Sequence, residues 1–76
     1  MSGLPQVPGH RLVQALQKAG FVVLRQRGSH VLLRHTDDLS RRATVILHGS
    51  KPIKPGTLHA ILRGAKLTVE ELRQLL

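Results

Sequence analysis

The sequence predicts an α+β fold, a three-stranded antiparallel meander with helices packed on one face. Three observations predict it. Apolar residues recur at helical spacing near both ends of the chain. Between them lie three short β-branched or alternating segments joined by turn-length polar stretches. The length, 76 residues, leaves room for one thin two-layer core, because so short a chain buries only about 60% of its unfolded surface. One domain over residues 1–76 is therefore expected.

Residues 1–7 read as an extended lead-in, since Pro5 and Pro8 discourage early helix. From Gly9 the pattern is helical: Leu12, Ala15, Leu16 and Ala19 share one face. Gly9 is the expected N-cap, in the absence of Ser, Thr or Asp, and Gly20 is placed to end the helix in a left-handed conformation. Residues 21–26 form the first expected strand, with a turn at Arg27-Gly28. Residues 29–35 form the second. Its alternation puts Val31 and Leu33 on one face and His30, Leu32 and Arg34 on the other. Residues 36–42 are a polar loop, and residues 43–48 the third strand, with Ala43, Val45 and Leu47 alternating against Thr44, Ile46 and His48. Residues 49–56 connect to a helix starting near Pro55, with Leu58, Ile61, Leu62 and Ala65 as its apolar stripe and Gly64 weakening its end. Thr68 and Glu71 have capping-box spacing, and Leu67 with Leu72 fits the hydrophobic staple of a short last helix.

Composition narrows the function. Twelve Lys and Arg against four Asp and Glu give a formal charge of +8. A field of that sign on so small a surface favours polyanions, nucleic acid first, with an acidic protein as the other class. The absence of Cys excludes a disulfide scaffold, a thiol nucleophile and a Cys-ligated metal. No His pair has chelating helix spacing and carboxylates are scarce, so no metal site and no cofactor are expected. The longest strictly apolar run, residues 21–24, is far too short to span a bilayer, and no signal peptide is evident, so a cytoplasmic protein is expected. With one aromatic residue, Phe21, base stacking of the kind used by RRM and OB modules is excluded. Contact with RNA must then run through phosphates, sugar hydroxyls or a chemical site.

The order helix, three strands, helix is that of a double-stranded-RNA-binding-like fold. Four collinear blocks narrow it further: Gly20-Phe21, residues 25–30 (Arg-Gln-Arg-Gly-Ser-His), residues 48–51 (His-Gly-Ser-Lys) and residues 54–58 (Lys-Pro-Gly-Thr-Leu). Together with residues 67–72 they resemble the HicA family of toxins over nearly the whole chain. Two positions depart from that family's usual pattern: Ile46 stands where proline is frequent, and Ser50 where asparagine often follows His-Gly. The resemblance implies an RNA-cleaving toxin of a bacterial or archaeal toxin–antitoxin pair. Such a toxin acts on single-stranded mRNA without a cofactor and is held inactive by a HicB-type antitoxin. It also implies that His30, which follows Gly-Ser, is the catalytic histidine.

Physical chemistry points to the same residue. RNA carries its own nucleophile, the 2′-hydroxyl, and a histidine titrating near neutrality can take or give the proton that cleavage requires. Gly28 permits close backbone approach, and Ser29 can bond a phosphate or orient the ring. His48 is a candidate second acid or base, or a residue that closes the strand. Arg27 and Lys51 could hold the phosphate electrostatically, or be solvated surface charges. His10, His35 and His59 carry no comparable signal. Part of the basic surface, with the first helix, is expected to meet both RNA and the antitoxin. Two rival readings remain: a non-catalytic double-stranded-RNA-binding module and an inactive toxin relative.

Overall fold

Six elements follow one another in the computed structural model, which describes residues 3–76. They are α1 (Gly9–Lys18), β1 (Phe21–Arg27), β2 (His30–His35), β3 (Arg42–Ile46), α2 (Pro55–Ala65) and α3 (Val69–Leu75). The strands form one antiparallel sheet in the order β1-β2-β3. This is the double-stranded-RNA-binding-like α+β architecture that the element order predicts, with the short third helix appended.

The apolar stripes do what their spacing implies. Leu12, Ala15 and Leu16 of α1 and Leu58, Ile61, Leu62 and Ala65 of α2 are buried against Phe21, Val31, Leu33, Ala43 and Val45 of the sheet. Each fully enclosed leucine or valine stabilises the fold by roughly 1.5–3 kcal/mol relative to exposure. Leu72 brings α3 into the same core. The capping box at α3 is formed: the Glu71 amide donates to Thr68 Oγ1 at 3.0 Å, and the Thr68 amide donates to Glu71 Oε1 at 2.9 Å.

Several local expectations are corrected. The N-cap of α1 is Pro8, not Gly9; the amides of Arg11 and Leu12 donate to the Pro8 carbonyl at 3.1 Å. Gly9 and Gly64 serve packing instead. A Cβ at Gly9 would lie 2.7 Å from the Ile46 carbonyl oxygen, and one at Gly64 would lie 2.8 Å from that of Arg42. Both carbonyls point outward from β3, so the two helices lie hard against that edge and cover it. The α2 helix runs one residue beyond Gly64 and ends at Lys66, a non-glycine residue in the left-handed region (φ 57°). Val7, in the extended lead-in, is fully buried, and its carbonyl accepts from the Ile53 amide at 2.9 Å.

Strand ends also differ. Arg27 belongs to β1 and Ser29 to the turn, because Arg27 and His30 are paired and leave a two-residue loop. Only the first loop residue, Gly28, has positive φ (57°), the II′ pattern that suits a twisted hairpin. The β3 strand begins at Arg42, which pairs with Arg34, and ends at Ile46, where the chain turns through Gly49 (φ 59°). A bulge between Val23 and Arg25 shifts the register of β1, so Val22 pairs with Arg34 but Arg25 with Leu32.

Candidate functional site

Hydrogen-bond parity along β2 decides what surrounds His30. The Leu47 amide donates to the Ser29 carbonyl at 2.8 Å, and the His35 amide to the Arg41 carbonyl at 3.0 Å. Odd-numbered β2 residues therefore bond to β3, and even-numbered ones form the close, non-bonded pairs with it. His30 pairs with Ile46 in this closer mode, with Cα atoms about 4.5 Å apart, and with Arg27 across the hairpin at about 5.5 Å. Val31 and Leu33 are buried beneath the helices, so His30, one residue out of phase, stands on the sheet's open face. It is exposed, and its ring makes no hydrogen bond among the described residues.

The hairpin places Arg27, Gly28 and Ser29 beside it, all exposed. A Cβ at Gly28 would touch nothing within 4 Å, so that glycine serves the turn's backbone conformation and does not relieve crowding. Next to Ile46 opens a groove of about 390 Å³. Ile46, Pro52, Ile53 and Ile61 give it an apolar floor, and His48, Lys51, Lys54 and Thr57 a polar rim. His48 and Lys51 thus share a groove whose nearest strand residue is the cross-strand neighbour of His30. The sequence pointed to His48 and Lys51 but not to Lys54 and Thr57, which α2 and its approach bring in from outside the sheet. Residues 48–51 form a turn, with the Lys51 amide donating to the His48 carbonyl at 3.1 Å.

Ile46 belongs to a non-bonded pair, so its own N–H points away from β2. The proline frequent at this place in the HicA family would cost the ladder nothing, and isoleucine leaves the ladder equally intact. Among the described residues no group of three or more His, Asp or Glu could hold a metal ion. The carboxylates lie elsewhere. Asp38 takes the Ser40 hydroxyl at 2.6 Å and the Ser40 amide at 3.1 Å, and lies 3.9 Å from Lys66. These bonds, the hydroxyl first, hold its carboxyl below the usual range. Glu71 is held low in the same way by the Thr68 amide and hydroxyl. Glu70 pairs with Arg73 at 2.8 Å. Asp37 lies in the loop beyond the far end of β2 from His30, so no side-chain carboxylate balances the cations around His30.

A family model described as HicA toxin of bacterial toxin–antitoxin matches residues 9–67, from the start of α1 to just before α3. The chain belongs to the HicA toxin family. Its role is that of a toxin in a toxin–antitoxin system, which implies an antitoxin partner. No curated protein matches it. The span matched in this HicA family member contains the candidate residues Arg27, Gly28, Ser29, His30, His48 and Lys51, and also Lys54 and Thr57. No helix among the described residues is long and apolar enough to cross a membrane.

Proposed function

We propose that this HicA family member is an endoribonuclease that cleaves single-stranded mRNA, with His30 as general acid or base. The observation that carries the reading is the position of His30. It stands on the open face at the end of a hairpin, between Arg27 and the Ile46 edge of a cation-rimmed groove, with no carboxylate nearby.

In the proposed step the 2′-hydroxyl oxygen attacks the adjacent phosphorus as its proton passes to an imidazole. The P–O5′ bond breaks, and the leaving oxygen takes a proton from an imidazolium. The products are a 2′,3′-cyclic phosphate and a 5′-hydroxyl. His30 takes one of these roles. His48, on the groove beside Ile46, is the second group, or His30 serves twice. Arg27 and Lys51 stabilise the pentavalent phosphate by charge. Gly28 and Ser29 shape the turn that lets the phosphate reach the ring. A HicB-type antitoxin masks this surface.

The test is RNA cleavage by the purified chain and by His30→Ala, with EDTA present. Cleavage by the first alone, both proteins being folded, is the expected result. Equal cleavage by both would remove His30 from the mechanism. Binding without cleavage by either would favour a binding module or an inactive toxin.

A further inference from the structure

Beyond His30 the open face of the sheet continues as a surface that the cleavage step does not use. Even parity places Leu32 and Arg34 of β2 on it, with Arg42 and Thr44 of β3 opposite and Arg25 of β1 beyond the bulge. Arg34 and Arg42 face each other in a non-bonded pair, the closer of the two spacings, about 4.5 Å between Cα atoms. Like charges directly opposite destabilise a sheet, so such a pair calls for an anion. The protein supplies none. No acidic residue lies in any strand, and the two ion pairs among the described residues engage Lys66 and Arg73 on the helical side. Arg34 Nε is shielded from solvent and has no hydrogen-bond partner. Arg42 Nε donates only to the Leu39 carbonyl, at 3.3 Å.

We infer that this face, from the Arg27–His30 row to the Arg34–Arg42 row, is the track along which single-stranded RNA approaches the scissile position, its phosphates held by Arg25, Arg34 and Arg42. The inference rests on the ribonuclease reading and names where that substrate lies: on the sheet, not along α1. From His30 to Arg34 is about 13 Å along β2, enough for a few nucleotides. Beyond His30 the track offers no aromatic side chain for stacking, so the grip there comes from charge and is insensitive to base identity.

The test is binding of a 2′-O-methylated single-stranded oligonucleotide, which lacks the nucleophile, across a salt series. Each cation withdrawn from a single-strand phosphate lowers the log–log salt slope by about 0.7. Arg34→Gln/Arg42→Gln should reduce the slope by about 1.4, which weakens binding about 25-fold at 0.1 M salt if the affinities converge near 1 M. The melting temperature should not fall, because a like-charge pair has been removed. Arg11→Gln/Arg63→Gln withdraws the same charge from the helices and should change the slope much less.

Equal losses from the two double variants would overturn the inference, since the whole field would then be responsible. RNA binding that is unchanged in Arg34→Gln/Arg42→Gln, alongside weaker binding of poly-L-glutamate, would overturn it and give the face to an acidic protein. Because the readout is binding of an uncleavable probe, a failure of His30→Ala to abolish cleavage would leave this result standing.

Discussion

One strand carries two histidines, at its two ends, and the sheet treats them oppositely. His30 begins β2 on the open face, exposed and without a hydrogen bond among the described residues. His35 ends it half-buried on the helical face. Its Nδ1 accepts from the Asp37 amide at 3.0 Å and the Asp38 amide at 3.1 Å. Its ring meets Phe21 edge-on, with centroids 5.3 Å apart, and lies against Gly20. Arg41 covers Phe21, 5.4 Å from the ring centroid, and its Nε donates to the Ala65 carbonyl at 2.7 Å, tying the end of α2 to this corner. The histidines are five positions apart. An odd separation puts them on opposite faces of a pleated strand. The same residue type is thus free on the open face at one end, where we propose it as a reagent, and a structural post at the other, and strand phase decides which.

The largest effect should come from the free end. His30→Ala should lower RNA cleavage by about 10²–10⁴-fold, the usual contribution of a positioned acid–base group, with an unchanged melting temperature. His35→Ala should invert that result. It orphans two amide donors and removes an aromatic contact, which costs about 2 kcal/mol, or a fall of about 10 °C in melting temperature for a domain of this size. Cleavage per folded molecule should persist. A His35→Ala protein that melts normally but does not cleave would break the comparison.

Two glycines flank the same contrast. Gly20 has φ 100°, and a Cβ there would lie 2.9 Å from His35 Nε2. Gly20→Ala therefore meets both backbone strain and a crowded ring, and should cost about 2 kcal/mol. At the other end Gly28→Ala meets only the left-handed backbone, since nothing lies within 4 Å, and should cost about 1 kcal/mol. Gly28→Asn should recover part of that, because asparagine tolerates the conformation. Thermal melts of the three variants measure the difference. Equal losses from the two alanines would mean that His35 yields freely and is no post.

Much of this was legible in the residues. Helical spacing located both core stripes, and the Val31–Leu33 alternation set the face of His30. Thr68 and Glu71 announced the capping box. What was not legible depends on pieces distant in sequence meeting. Val22-Val23-Leu24 has no alternation to betray a bulge, and the strand leaves all three partly exposed. Gly9 reads as an N-cap and Gly64 as a weak helix residue until the β3 carbonyls lie against them. Val7 sits among prolines, and only the fold buries it, with its carbonyl taking the Ile53 amide. His35 gave no signal because its partners are amides of a loop that has first to fold back. At the site, the face of His30 could be placed from strand alternation, but Arg27 reads as a turn residue until the hairpin pairs it with His30, and Lys54 and Thr57 reach the groove only through the placement of α2.

The smallest effect tests the anchored end by pH. Asp38 follows His35 by three residues, and its amide is one of the two donors to the imidazole. Its carboxylate fastens the same loop through Ser40, and its carboxyl is held below the ordinary value by that hydroxyl, then by the Ser40 amide, with Lys66 and Arg41 adding charge. A carboxyl depressed in the folded state releases its proton more readily there than in the unfolded chain. Its contribution to stability is therefore complete above the ordinary carboxyl value of about 4 and is lost as pH falls through the lowered native value. Melting temperature followed from pH 7 down to about 3 should decline on the acid side, and Asp38→Asn should flatten part of that decline. Glu71→Gln should flatten another part, since its carboxyl is depressed by the Thr68 amide and hydroxyl. Neither substitution should alter cleavage at neutral pH, where both variants remain folded and the His30 end is untouched. If Asp38→Asn instead changed cleavage while leaving the acid limb intact, the two ends of β2 would be coupled and could not be treated as separate devices.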